Sequence, residues 1–461
     1  MPKLYTGPAI SHFQYMANLY LTSVAASHFI SKMSMDRAVE ATYELADQYP
    51  DWWKDEVGST APIEFADERT LVQIARDYRR VARFYGDIGC VLLPSGHDEP
   101  FFATERYEAL PRSGKKPLVE IDFSAGAAPA PDIERALEPA FEPEAKTGSL
   151  IVLQRGKCLY ERYAGGAGAD TKLASWSMGK SLVSALIGTL MTEGKTELDR
   201  SDLLACWTSD AGDPRRKILL RDLLRMSSGL RFSGYENPAY TWGQATSDHL
   251  LPYSEAIEFY SLSTSMPLEH APGTVGRYRN CDIASAAAVA KQIVESEGGD
   301  FVHWVYDKLN PILGDGQFCL CPDAHGNPIF TGLTYVTARG WARFAQLMLD
   351  GGRAGTQRIF DENYVQFAQQ VAPAWVGADS SWHRATYGGG FWVNQQRDDR
   401  PAEFDLPADA YFAAGGGSNY AIIVPSLDLV VVRQGDLRGR GGKDHLNAAL
   451  RELVPLLSGA T

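Results

Sequence analysis

Ser177 and Lys180 are the residues of this chain best suited to chemistry. They open the run Ser177-Met178-Gly179-Lys180, which leads into a stretch where Leu182, Val183, Leu186, Ile187, Leu190 and Met191 recur at helical spacing and Gly194 stops the pattern. Three positions apart on one helix, hydroxyl and amine share a face. The helix N-terminus adds a positive field where an oxyanion would form. A serine hydroxyl is a weak nucleophile, and a desolvated neutral lysine beside it can take its proton. The pair has the makings of an acyl-transfer site.

Two further phrases supply what such a site lacks. Pro272 to Asn280 is turn-rich and feeds a second helix, Cys281 to Ser296; Tyr278-x-Asn280 projects a phenol and an amide from the head of that helix. A tyrosine held near Ser177 and Lys180 can relay a proton to a leaving group. Farther on, Gly415-Gly416-Gly417-Ser418-Asn419 runs into a predicted hairpin, with Ala421 to Val424 and Leu429 to Val432 as strands around Pro425-Ser426. Glycines at the start of a buried strand suit close approach of backbone to a ligand. A strand-edge N–H beside that of Ser177 would make a two-donor oxyanion hole. Each short pattern alone is weak, and the chain holds its own controls. Ser113-Gly114-Lys115-Lys116 has no apolar helix behind it, and Tyr235-Glu236-Asn237 lies in a loop with no helix following.

Taken in order, the three phrases resemble the serine β-lactamase and penicillin-binding-protein superfamily, nearest its class C branch with the esterases and 6-aminohexanoate-dimer hydrolases. The likeness runs from roughly Glu134 to the C-terminus. It includes Leu223 to Leu230, Thr337 to Phe344 and Leu427 to Val432. The resemblance implies Ser177 as the acylated nucleophile and Lys180 as general base. Tyr278 would protonate the leaving group and help activate water, and Asn280 would hold Tyr278 or the substrate. It also implies a substrate edge at Gly417, Ser418 and Asn419, and Tyr235 and Asp248 over the substrate, as in the aminohexanoate branch. The third motif of the family is usually Lys-Thr-Gly or His-x-Gly, and here no lysine or histidine stands there. That departure argues against penicillin or D-Ala-D-Ala peptide as the main substrate and favours an ester or a linear amide. The alternatives left open are a β-lactamase or D-Ala-D-Ala peptidase, and an acyl-accepting receptor or transacylase on the same scaffold.

Other chemistries lack their signatures. No Gly-x-Ser-x-Gly elbow appears. The nine histidines fall into no metal-ligand spacing, and no glycine fingerprint for a dinucleotide or nucleotide follows a strand. No cofactor and no metal is expected. A net charge of −13 argues against nucleic acid or an anionic membrane as partner. The expected partner is a small-molecule ester or amide, with a homodimer left open. Six scattered cysteines read as free thiols, which leans towards a cytoplasmic setting and leaves the periplasm open. Phe13 to Ile30 is too polar for a membrane span and a poor signal peptide.

The elements that must position these residues follow from the pattern. Residues 1–125 read as a helical extension: Phe13 to Ile30 as an amphipathic helix packing on the body, then Met35 to Tyr49 and Glu68 to Tyr85. Loops follow at 109–117 and from Ala125 to Pro131. Residues 126–461 read as the hydrolase domain. Pro131 to Phe141 forms a helix, and Leu150 to Gln154 pairs with Cys158 to Tyr163 as a hairpin. A mostly helical lobe spans roughly 177–385, and a helix from Asp444 to Leu457 returns to the sheet. The fold class expected is α/β (α+β): an antiparallel sheet flanked by helices plus a helical lobe, with the site in the cleft between them.

Overall fold

The computed structural model describes residues 12–43, 62–75, 78–107, 116–232, 248–376, 386–396, 402–436 and 441–458, with single positions at 110, 112 and 114. Among them the main sheet has seven strands, all antiparallel. They are β5 (Thr147–Gln154), β6 (Lys157–Tyr163), β12 (Thr386–Tyr387), β13 (Trp392–Val393), β14 (Tyr411–Gly415), β15 (Asn419–Val424) and β16 (Leu429–Gly435). Their spatial order is β12-β13-β14-β15-β16-β5-β6, so the two predicted hairpins join through β16 and β5. Val430, Val431 and Val432 pair with Leu153, Val152 and Ile151, and all six are fully buried. A run of apolar β-branched residues buried on both faces needs helices to cover it. The amphipathic helix Ala338–Leu349 covers β15, β16 and β5. The C-terminal helix Gly442–Ser458 packs Leu446, Leu450, Leu453 and Leu457 inward beside Pro131–Leu137.

The N-terminal region differs from its sequence reading. Helix Met35–Tyr43 is present, and positions 44–49 lie outside the described residues. The expected helix Glu68 to Tyr85 is instead two strands of a four-stranded meander: β1 (Ile63–Asp67), β2 (Thr70–Ala75), β3 (Tyr78–Phe84) and β4 (Cys90–Leu92). Leu71, Ala82, Cys90 and Leu92 face the main core, while Val72, Val81 and Val91 form a small cluster on the other side. With apolar residues on both faces, the strand alternation is blurred and imitates a helical period. The helix His12–Phe29 packs on the body as expected, but it is not amphipathic. Residues 15 to 26 are buried all round, Asn18, Thr22 and Ser23 included. The segment Ala125 to Pro131 is no free linker either: a tight turn at Ser124–Ala127 packs on β6.

Within the lobe, the helix Gly179–Thr192 is buried from Gly179 to Leu190 and packs on the helix Asn280–Ser296. A small sheet in the order β7 (Leu173–Ala174), β9 (Thr334–Val336), β8 (Phe318–Leu320) lies just ahead of it in space. A further two-residue pair, β10 (Arg353–Ala354) and β11 (Gln357–Arg358), closes a turn. All six cysteines are free thiols, and Cys319 on β8 and Cys321 just past it both point towards Gly89. Among the described residues, no helix is long and apolar enough to cross a membrane.

Candidate active site

Ser177 lies in a single tight turn, Trp176–Met178, that runs directly into the helix Gly179–Thr192. The approach to it is fixed by β7 and β9. Ser175 N–H donates to Thr334 O at 2.8 Å, and Trp341 Nε1–H donates to Ser175 Oγ at 2.8 Å. Trp176 takes φ +48°, a left-handed conformation that costs a bulky residue about 1–3 kcal/mol. Gly179 explains its own place in the motif. A Cβ there would meet Phe330 O at 2.2 Å and Thr334 Oγ1 at 2.4 Å, so only glycine lets the helix start press against the Phe330–Thr334 segment.

That contact brings three groups together. Lys180 Nζ lies 2.8 Å from Ser177 Oγ, and its side chain is 1% exposed. The carbonyl of Thr331 accepts from Lys180 Nζ at 3.3 Å and from Ser177 Oγ at 3.4 Å. Nζ also stands 4.5 Å from the centroid of the Tyr278 ring, over its face. Tyr278 is held in an aromatic frame: Trp392 stacks on it at 5.2 Å, and Tyr387 and His249 approach at 6.1 and 6.0 Å. Burial, and secondarily the charge of Lys180, push the His249 imidazole well below its ordinary pKa, so it stands neutral beside the pair.

Asn280 begins its helix, fully buried. Its amide nitrogen donates to His249 O at 2.7 Å and to the Tyr253 hydroxyl at 2.8 Å. The Tyr253 hydroxyl in turn donates to Thr331 Oγ1 at 3.0 Å. The amide nitrogen expected to hold Tyr278 or substrate thus braces the wall of the site.

The glycine phrase ends β14 and turns into β15, so it closes one strand where the sequence suggested the start of another. A Cβ on Gly415 would lie 2.1 Å from Ser175 O and 3.2 Å from Ser177 N, which puts that backbone edge against the amide of Ser177. Gly417 and Ser418 form the turn with φ of +79° and +57°. Asn419 is buried in structural bonds: its amide nitrogen donates to Ala174 O at 3.0 Å and Gly416 O at 2.6 Å, and its Oδ1 accepts from Gly435 N–H at 2.7 Å. Beneath the turn stands a cation that the motif reading missed. Arg433, fully buried, donates from Nη1 to Gly417 O and, at 2.8 Å, to Ser418 O, and from Nε to Thr147 Oγ1 at 3.1 Å. A further donor, Nη2, goes to Ala145 O. Burial pushes its pKa down to about 10.

Asp248 is half-buried in the turn before Tyr253, where its charge is felt at the Cys281 thiol. Tyr235 lies outside the described residues, as do Ser113 and Lys115. Trp375 is buried packing: its indole donates to Arg225 O at 2.7 Å and stacks on Tyr387. Thr331 carried no sequence signal, because what it offers the pair is a backbone carbonyl, which any residue type supplies.

The Beta-lactamase family model matches residues 133–453. The 6-aminohexanoate-dimer hydrolase of Paenarthrobacter ureafaciens is similar at 24% identity over 265 residues, covering 56% of this chain. The match spans 64% of that relative, less than two thirds of its length. Among solved structures, a Bacillus anthracis protein described as a candidate 6-aminohexanoate-dimer hydrolase superposes with a TM-score of 0.55 at 18% identity, over 75% of this chain and 87% of that one. A family VIII carboxylesterase superposes at 0.52 with 16% identity, over 70% of this chain and 98% of its own. Those likenesses establish a β-lactamase-like fold, and the family match spans well over half of the sequence. This chain belongs to the Beta-lactamase family, within the serine β-lactamase and penicillin-binding-protein superfamily.

Proposed function

We propose that the protein is a serine hydrolase that cleaves a carboxylic ester or a linear amide through an acyl-enzyme on Ser177. The observation that carries this reading is the buried Lys180 amine 2.8 Å from the Ser177 hydroxyl. In its neutral form that amine takes the Ser177 proton as Oγ bonds to the substrate carbonyl carbon. The oxyanion is received by Ser177 N–H and an N–H of the Gly415–Gly416 edge, at the helix start. As the tetrahedral adduct collapses, the carbon–oxygen or carbon–nitrogen bond breaks and the leaving group takes a proton through Tyr278. Water then attacks the acyl-enzyme by the same route in reverse, releasing the acid and freeing Ser177.

Substrate class follows from the third motif. The Arg433 donors that reach the turn are spent on the carbonyls of Gly417 and Ser418. A substrate carboxylate therefore gains no partner from that guanidinium, which favours esters and linear amides over penicillins and D-Ala-D-Ala peptides. Relatives named as an aminohexanoate-dimer hydrolase and a carboxylesterase are in keeping with both. Asp248, and Tyr235 from outside the described residues, remain the proposed contacts over the substrate. Steady-state hydrolysis of nitrophenyl esters, aminohexanoate oligomers and nitrocefin tests the assignment. Ester or linear-amide turnover well above nitrocefin turnover is expected, and the reverse order would make the protein a β-lactamase.

A further inference from the structure

The catalytic pair leans on Thr331, Thr331 leans on Tyr253, and the turn that bears Tyr253 is held from a part of the chain that the family model does not reach. The Thr331 hydroxyl accepts from Tyr253 at 3.0 Å, and the ring of Tyr253 fills the space at Gly332, where an added Cβ would fall 2.6 Å from ring carbons. Tyr253 belongs to a single helical turn, Leu251–Ser254. That turn is gripped from outside the family-matched region. Asn18, on the buried N-terminal helix, donates from Nδ2 to Ser254 O at 2.7 Å and to Glu255 Oε1 at 2.9 Å. Arg80, on β3, donates to Glu255 Oε2 at 3.0 Å, with both side chains under a tenth exposed.

We infer that Tyr253 is a positioning residue for the reaction, and that the N-terminal region, through Asn18, Arg80 and Glu255, holds it in place. The inference rests on the reading of Ser177 and Lys180 as the reacting pair. The Thr331 carbonyl is the acceptor that orients the Lys180 amine, and a carbonyl is only as fixed as the residue that bears it. The Tyr253 hydroxyl ties that residue to Asn280 on one side and to the clamped turn on the other. Loosening the tie swings the amine off the Ser177 hydroxyl without touching the substrate's binding surface. The loss therefore falls on kcat and spares KM.

The test uses the full-length protein with an ester substrate. Tyr253→Phe and Thr331→Val each lower kcat by about 10- to 100-fold, with KM within about threefold of wild type. The double variant is no slower than the slower single, because both remove one bond. Thr331→Ser, which keeps the hydroxyl, recovers most of what Thr331→Val loses. Asn18→Ala, remote from the reacting atoms, gives a smaller loss that is also confined to kcat, and serves if Tyr253→Phe does not fold. An unchanged kcat in Tyr253→Phe, a loss carried by KM, or additive losses in the double variant would overturn the inference. If the wild type turns over no ester or amide, the proposed function falls by itself. The brace is then read by hydrogen exchange: amides of residues 328–334 must exchange faster in Tyr253→Phe than in wild type, and equal exchange would overturn it.

Discussion

Ser177 follows a tryptophan held at φ +48°, and the strain is carried by a carbonyl and an indole fixed on β9 and the helix Ala338–Leu349. Under the proposed chemistry Lys180 and Tyr278 act on protons, so Lys180→Ala and Tyr278→Phe should each lower kcat/KM by about 10²–10⁴-fold with the thermal midpoint little changed. Near-normal turnover in either would remove that residue from its assigned step. Gly415→Ala is a sharper probe, because its methyl group has nowhere to go but into Ser175 O. If this edge receives the oxyanion, kcat should fall by about 10²–10³-fold while the protein stays folded. His249 gives a pH signature. Its folded-state pKa is lowered, chiefly by burial, so below the unfolded imidazole's value of about 6.5 the unfolded chain binds a proton that the native state refuses. Stability should therefore fall as pH falls through that window, by up to about 1.4 kcal/mol per pH unit. Denaturant titrations between about pH 7 and about pH 5 should show this slope in wild type and a flatter one in His249→Phe. A parallel slope in the variant would refute the assignment.

Elements were legible where an apolar run had a clear period or was bounded by turn residues, such as Arg155-Gly156-Lys157 and Pro425-Ser426. The helix behind Ser177 and the leucine face of the C-terminal helix follow from spacing, the hairpins of the main sheet from apolar runs around their turns, and the structure has them. The meander was hidden because both of its faces carry valine, leucine or alanine. The first helix was misjudged because its polar residues looked like a wet face. Asn18 is instead bonded to Ser254 and Glu255, and the Thr22 hydroxyl donates to Asn18 O at 2.9 Å. Of the proposed site, Ser177, Lys180 and Tyr278 were recognisable because a hydroxyl, an amine and a phenol are the side-chain types that acyl transfer needs. Thr331 and the Gly415 edge meet the pair through backbone, and Arg433 comes from a neighbouring strand, so their placement depends on pairing that short motifs do not encode. The buried pair of Arg80 and Glu255 makes an element-scale prediction. Arg80→Met strands a buried carboxylate and should cost about 3–5 kcal/mol in denaturant unfolding, and adding Glu255→Gln should recover part of it. A loss below about 1 kcal/mol would show the pair to be solvated.

On the scale of the whole molecule, the region ahead of the family match is built into the body. Its first helix lies in the same core as the Ser177 helix, and its strands pack on the first helix. The sequence reading of residues 1–125 as a helical extension understated both its sheet and its burial. Under the proposed function, what the assembly does rests on a covalent intermediate. The most direct measurement is intact-protein mass after brief exposure to an activated ester, with Ser177→Ala in parallel. A transient acyl adduct on the wild type, absent from Ser177→Ala and discharged with release of the acid, is the predicted result. An equal adduct on Ser177→Ala, or ester turnover with that serine removed, would contradict the claim that Ser177 carries the reaction.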